Sequence, residues 1–426
     1  MTDRKIHAVP GMRAASVVRA GCLLWLAVAP LPLTAQEWTR FRGPNGSGIS
    51  EAQTIPAQWT ARDYRWTIDL PGSGISSPVV WQDKVFVTSA DDSKLERYLL
   101  CYRTTDGKRL WEQAFPYERE KKHARNSYAT ATPAVDDERV YVVWTSRSHA
   151  ELLAFTHDGQ PVWTYDLGPY HSGHGGGTSP AVIGDLVVLN NHQEHNSYYL
   201  AVARRTGELR WKVERTGGKA SYSTPCAYPT GESPTAVVFT SFGHGFTAIA
   251  VDTGRIAWQK SGLFDEDEED KRAIGSPFVA DGVVFGSCGF TGGKKILVGV
   301  RPEAESVAQV FRQDRMVCHM PTALAYQGRM FIWTDNGIVT CCRIQDGQQL
   351  WQKRVRGNYS GSPVCVAGKL YAISDDGIVV VLAAAENFEE LGRMSLGQDS
   401  NSTPAVSGGV MYLRTSSKLF ALGGAR

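Results

Sequence analysis

The histidines and their polar neighbours have the most chemistry to offer in this 426-residue sequence. His123, His149, His171, His174, His192, His195, His244 and His319 all fall between β-rich runs, whereas His157 sits beside a Gly turn. Arg125, Asn126, Tyr222, Arg272, Asn358, Asp399 and Asn401 lie in stretches of the same kind. Imidazoles titrate near neutral pH, and guanidinium and amide groups donate several hydrogen bonds. Together they suit a polar ligand or partner. His171 and His174 have metal-compatible side chains, but two imidazoles without a third ligand do not specify a metal centre. Long polar loops also collect such residues without any function, and both readings stand at this point.

Other chemistry is thinly represented. There is no His-Glu-x-x-His, no Gly-x-Ser-x-Gly, no phosphate loop and no Cys-x-x-Cys, which lowers the weight of hydrolase, kinase and zinc-enzyme readings. The acidic run at 265–270 departs from a calcium loop, with Asp270 where Gly belongs and Ser276 where Glu belongs, and it reads as a solvated loop. Basic and acidic residues nearly balance, 45 against 43, which argues against a nucleic-acid partner. Of the eight cysteines, Cys22 falls in the leading apolar run, leaving an odd number and no complete disulfide framework. Cys101 and Cys341 read as small buried apolar residues. Cys288 and Cys318 are the one pair considered for a bridge. The adjacent Cys341 and Cys342 point to opposite faces of a strand.

These residues are spaced by a repeat. A hydroxyl residue before proline precedes a β-rich run at Ser77-Pro78, Thr132-Pro133, Ser179-Pro180, Thr224-Pro225, Ser276-Pro277, Ser362-Pro363 and Thr403-Pro404, and Met320-Pro321 is read as the remaining member. The mean spacing is about 47 residues, in the range of four-stranded propeller blades. A Gly turn followed by Trp closes most repeats, at Gly107/Trp111, Gly159/Trp163, Gly207/Trp211, Gly254/Trp258 and Gly347/Trp351. The last repeat holds only about three strands, while a spare strand with Trp66 lies at residues 65–70, ahead of the first. The expected fold is all-β: an eight-bladed β-propeller of four-stranded blades, closed by that N-terminal strand, which removes free sheet edges. In such a ring the loops carrying the eight histidines share one face, and the ten residues Arg125, Asn126, His171, His174, Tyr222, Arg272, His319, Asn358, Asp399 and Asn401 are expected at the channel mouth.

The runs Ala248-x-Ala250-x-x-Thr253-Gly254-x-x-x-Trp258 and Ala201-x-Ala203-x-x-Thr206-Gly207-x-x-x-Trp211 resemble the tryptophan-docking motif of quinoprotein-type (PQQ-like) β-propellers, with Ala250 and Ala203 in place of the usual Asp. The chain is similar to exported PQQ-like repeat proteins and to the propeller lipoprotein of the outer-membrane β-barrel assembly machinery. This resemblance implies eight blades and no obligatory quinone. The stretch from Trp38 to Gly48, rich in Arg and Gly, also looks like a segment found in some exported members.

Arg4, Lys5, Arg13 and Arg19 precede an apolar run at 22–29 and the small residue Ala35, the pattern of an export signal. The expected organisation is a signal at 1–35, an N-terminal segment at 36–64 and the propeller at 65–426, with the mature protein periplasmic or extracellular, lacking a transmembrane segment and monomeric. The leading functional reading is a non-enzymatic binding or scaffold platform for a protein or cell-envelope component, with no cofactor and no catalytic or metal-ligating residues. One alternative is a PQQ-dependent oxidoreductase, using PQQ with calcium and drawing on Asp399 and Asn401. Another is a carbohydrate-binding propeller presenting Tyr128, Tyr170, Tyr222 and Tyr359.

Overall fold

The computed structural model describes residues 1–2, 36–216, 218–264, 272–290 and 292–424. The expected signal and the acidic run at 265–270 lie outside the described residues. Contacts separate Met1–Thr34 from Ala35–Arg426, and the second unit is described here. No helix among the described residues is long and apolar enough to cross a membrane.

Eight antiparallel sheets follow one another in chain order. The innermost strands are short: Val79–Trp81, Ala134–Val135, Ala181–Ile183, Cys226–Tyr228, Phe278–Ala280, Leu324–Tyr326, Val364–Val366 and Ala405–Ser407. We number the blades one to eight in that order. Middle strands are covered on both sides by neighbouring blades, so Ser197–Ala203 is buried at every position. Outer strands alternate, as in Arg109–Pro116, because only one face is packed. Tyr64–Asp69 supplies the fourth strand of blade eight, pairing antiparallel with Lys418–Gly423 so that Trp66 stands opposite Ala421. The ring is closed as expected.

The Gly-turn tryptophans join blade to blade. The Nε1 of Trp66, Trp111, Trp163, Trp211 and Trp351 each donates to a carbonyl of the next blade: Thr104 (2.8 Å), His157 (2.8 Å), Arg204 (3.0 Å), Val251 (3.0 Å) and Ala385 (3.0 Å). The indoles of Trp66, Trp111, Trp163 and Trp211 also lie on the next blade's turn glycine. A Cβ on Gly254, for example, would come within 2.3 Å of Trp211. That position therefore needs glycine twice, for its positive φ of 68° and for the indole above it. Trp211 is 6% exposed. Trp211→Ala should cost about 3–5 kcal/mol, as large-to-small core changes do. A chemical-denaturation difference below about 1 kcal/mol would contradict this docking.

The hydroxyls before the innermost strands form a second connection. The backbone N–H of Ser77 donates to Thr132 Oγ1, Thr132 to Ser179, Thr224 to Ser276, Ser276 to Thr322, Thr322 to Ser362, Ser362 to Thr403, and Thr403 back to Ser77, at 2.9–3.2 Å. This belt corrects one expectation. In blade six the hydroxyl slot belongs to Thr322, two residues before the Leu324–Tyr326 strand, and not to the Met320-Pro321 pair. Without the Ser/Thr-Pro pair, the register was misplaced by two residues.

The segment from Trp38 to Ser50 crosses the ring. Trp38 pairs with Val80 of blade one, and the Thr39 carbonyl accepts from the Val135 N–H of blade two (2.8 Å). Arg40 Nη2 donates to the Pro225 carbonyl, and the Asn45 amide exchanges two hydrogen bonds with Ala227 (3.0 and 2.7 Å), all in blade four. Ile49–Ser50 then adds a parallel fifth strand to blade seven. Partners on opposite sides of the ring make this segment a plug across one end of the channel. Buried Arg42 anchors it.

Candidate functional site

The plug leaves one cavity open at the other end of the channel, about 570 Å³ in volume. Its floor is the Phe41 ring and the hydroxyl belt, with Ser77, Thr132, Ser179, Thr224, Thr322, Ser362 and Thr403 all lining it. Loops between blades build the walls, because each must turn from an outer strand back to the axis. Seven of the ten expected residues line the cavity: Arg125, Asn126, His174, Tyr222, Arg272, His319 and Asn401. The other three do not. His171 packs edge-on against His195 at 5.1 Å, Asn358 lines a neighbouring groove, and Asp399 is exposed away from the cavity. Loop membership follows from the repeat, but which way a loop residue faces depends on its turn geometry.

Several of these residues are held by specific contacts. Asn126 Nδ2 donates to the carbonyls of His174 (2.6 Å) and Gly176 (3.0 Å), tying the blade one–two loop to the blade two–three loop. Asn126 is thus a loop-to-loop strut. His123 stacks on His174 with ring centres 5.3 Å apart. The Tyr222 hydroxyl meets Ser172 Oγ at 2.7 Å. The backbone N–H groups of His319 and Met320 donate to the Asp335 carboxylate at 2.8 and 3.0 Å. Asn401 Nδ2 donates to Asp375 Oδ1 at 3.0 Å.

Arg125, Lys219 and Arg272 line the cavity, and among the described lining residues there is no Asp or Glu. Burial pushes the His174 pKa down, and the charges of Arg272 and His123 push it the same way. Burial draws His319 down to about 4 against the opposing pull of Asp335. Lys219, Phe41, Ile75, Ile274, Phe290 and the belt hydroxyls were not expected at the site. The hydroxyls could have been found, since a residue that starts every innermost strand must ring the axis. Phe41 could not, because its place depends on the plug.

His192 is buried near this face, and burial, aided by His244 and Arg215, lowers its pKa to about 4. Its folded pKa lies below the unfolded value of about 6.5, so unfolding takes up a proton. The stability this gives is complete above about pH 6.5 and is lost as pH falls towards 4, a loss of about 3 kcal/mol at most. Melting temperatures should fall between pH 7 and pH 4, less steeply in His192→Asn. Equal slopes would place the titration on other groups.

Among the described residues the cysteines and histidines form no further centre. Cys101, Cys226, Cys318, Cys341, Cys342 and Cys365 are buried free thiols, so Cys318 is not bridged to Cys288. Cys341 and Cys342 pack into different clusters on opposite faces of their strand, and burial pushes both thiols up to about 12. His171 and His174 turn to different partners. Among the described residues no group of three or more His, Cys, Asp or Glu is placed to hold a metal ion. Of the four tyrosines expected at the mouth, only Tyr222 lines the cavity, whereas Tyr170 and Tyr359 are buried. A quinone with calcium fits this lining poorly. Calcium takes carboxylate and carbonyl oxygens, the described lining has no carboxylate, and it has no Trp to floor a flat ring.

Residues 309–425 match the family model of outer membrane protein assembly factor BamB. Among curated proteins, none matches the sequence. BamB from Moraxella catarrhalis is similar in structure, with 16% identity, a TM-score of 0.58, and coverage of 84% of this chain and 95% of that one. A europium-containing methanol dehydrogenase has 12% identity and a TM-score of 0.69, covering 90% of each chain. The quinohemoprotein alcohol dehydrogenase from Comamonas testosteroni has 12% identity and a TM-score of 0.69, covering 92% of this chain and 81% of that one. At these identities the likeness concerns the fold, which binding proteins and enzymes share. The chain is thus an eight-bladed β-propeller, and its residues 309–425 match the BamB family model.

Proposed function

We propose that the protein is an exported, non-enzymatic platform that binds a protein or cell-envelope component through the open mouth of its channel. One observation carries this reading: a cavity of about 570 Å³, closed below by the plug and lined by hydroxyls, imidazoles and amides, with no carboxylate among its described lining residues. Proton transfer needs a base poised near the working pH beside a nucleophile. Here the belt hydroxyls accept backbone N–H groups instead of pairing with an imidazole, and the free thiols are sealed inside blades. Such buried thiols are inert, which is compatible with an oxidising compartment. The basic N-terminal run ahead of an apolar stretch supports export.

The test pairs a dye-linked dehydrogenase assay over alcohols and aldoses, with PQQ and calcium supplied, with calorimetry against PQQ. No turnover and no micromolar PQQ binding are expected. Turnover dependent on added PQQ would replace the platform with an oxidoreductase.

A further inference from the structure

We infer that the open cavity receives the terminal unit of an uncharged saccharide chain. This rests on the platform reading above and names the class of envelope component bound.

The first support is what the lining leaves free. A hydroxyl has one proton to give and two lone pairs. Ser77, Thr132, Ser179, Thr322, Ser362 and Thr403 each use a lone pair to accept a neighbouring blade's N–H, and none of the six is a donor among the described hydrogen bonds. Thr224 goes further. Its backbone N–H donates to Ser276 Oγ, while its own Oγ1 has no partner among the described residues and the side chain lines the cavity. Asn401 gives its Nδ2 to Asp375 and keeps its amide oxygen as an acceptor. His319, drawn down to about 4 by burial, is an uncharged imidazole at neutral pH, with one donor and one acceptor nitrogen.

The charged groups ask little of a guest. Lys219 and Arg272 already have partners, Arg125 is exposed to water, and the described lining holds no carboxylate. The groups left to meet a ligand are therefore mainly uncharged. The hydroxyls among them can both donate and accept, as saccharide hydroxyls do.

The second support is arrangement. Each belt hydroxyl precedes the innermost strand of a different blade, so the hydroxyls encircle the axis at one level. Phe41 sets an apolar surface at the floor beside them, and Ile274 and Phe290 add apolar walls. A pyranose unit carries hydroxyls around its rim and C–H groups on its faces, which matches a circle of hydroxyls over an apolar floor. An extended peptide fits this circle less well, because its N–H and C=O groups lie along two opposite edges. The volume is in the range of sites that enclose small-molecule ligands. The plug stops a chain from threading through, so a chain end is what enters.

The mature protein is titrated calorimetrically with maltotriose, cellotriose, laminaritriose, trigalacturonate and trialanine capped at both ends. At least one of the three neutral trisaccharides should bind, more tightly than trigalacturonate or the peptide, and its affinity should not change as salt rises, since no charge is paired. Thr224→Val keeps the side chain's size and breaks no described hydrogen bond, so the melting temperature should stay at the parent's value while saccharide affinity falls about fivefold, the worth of one hydrogen bond. Thr224→Ser, which restores the hydroxyl, should bind like the parent. Absence of neutral saccharide binding overturns the inference. So does tighter binding of trigalacturonate or of the peptide, or an unchanged saccharide affinity in Thr224→Val. PQQ-dependent turnover removes the platform reading itself, whereas absent saccharide binding without turnover removes only the saccharide.

Discussion

Deleting residues 64–69 should abolish cooperative melting and drive the protein into aggregates. Tyr64–Asp69 is the outer strand of blade eight, so without it Lys418–Gly423 becomes an open edge. An exposed edge of unpaired N–H and C=O groups recruits other chains. The loss reaches the neighbouring blade as well. Trp66 donates to the Thr104 carbonyl and covers Gly107, so its removal breaks the seam between blades eight and one. It also uncovers one of the larger hydrophobic clusters, which includes Leu419, Phe420 and Tyr412. Velcro-like closure concentrates many contacts in one strand, and the expected loss exceeds that of any single side chain. Size-exclusion chromatography and circular-dichroism melts decide it. A monomeric truncation with the parent's melting temperature would show that the ring does not depend on this strand.

The same strand shows what the sequence made legible. The missing fourth strand of the last repeat and the spare Trp66 strand ahead of the first are both visible as pattern, so closure followed without coordinates. The Gly-turn tryptophans were legible for the same reason, since each repeat poses the same packing problem and solves it with the same residues. Blade six was less legible because its Thr322 has Ala323 after it where all seven other anchors have proline. The cavity was partly legible. His174, Tyr222 and Arg272 line it as expected, but His171, three residues from His174, faces His195 instead. Periodicity places a loop at the mouth, and hydrogen bonds such as those of Asn126 then choose which side chains turn inward. The plug was illegible in its role. Its residues repeat nowhere else in the chain, and its partners are backbone carbonyls far away in sequence, which leave no trace in residue identity.

Arg42→Ala should cost about 3–5 kcal/mol, the scale for breaking a buried hydrogen-bond network. Arg42 is fully buried, and burial lowers its pKa to about 9, so it remains a cation at neutral pH. A guanidinium has five N–H donors, and each meets a carbonyl here. Nε donates to Gly46 (3.1 Å), Nη1 to Thr322 (3.2 Å) and Pro363 (3.1 Å), and Nη2 to Ser47 (3.2 Å) and Ala323 (3.1 Å). The plug is thereby fixed to blades six and seven by one side chain. Gly48 must keep close company with it, because a Cβ there would lie 2.8 Å from Nη2. Truncation to Ala relieves the buried charge but leaves five carbonyls without that partner, and an unmet buried polar group costs about 1–3 kcal/mol. Arg42→Lys tests the geometry separately from the charge. Lysine has three donors and no planar fork, so it should recover only a minor part of the loss. Denaturant melts of both variants report the consequence for the fold. Full stability in Arg42→Ala would instead make this segment a passive strand lying in the channel.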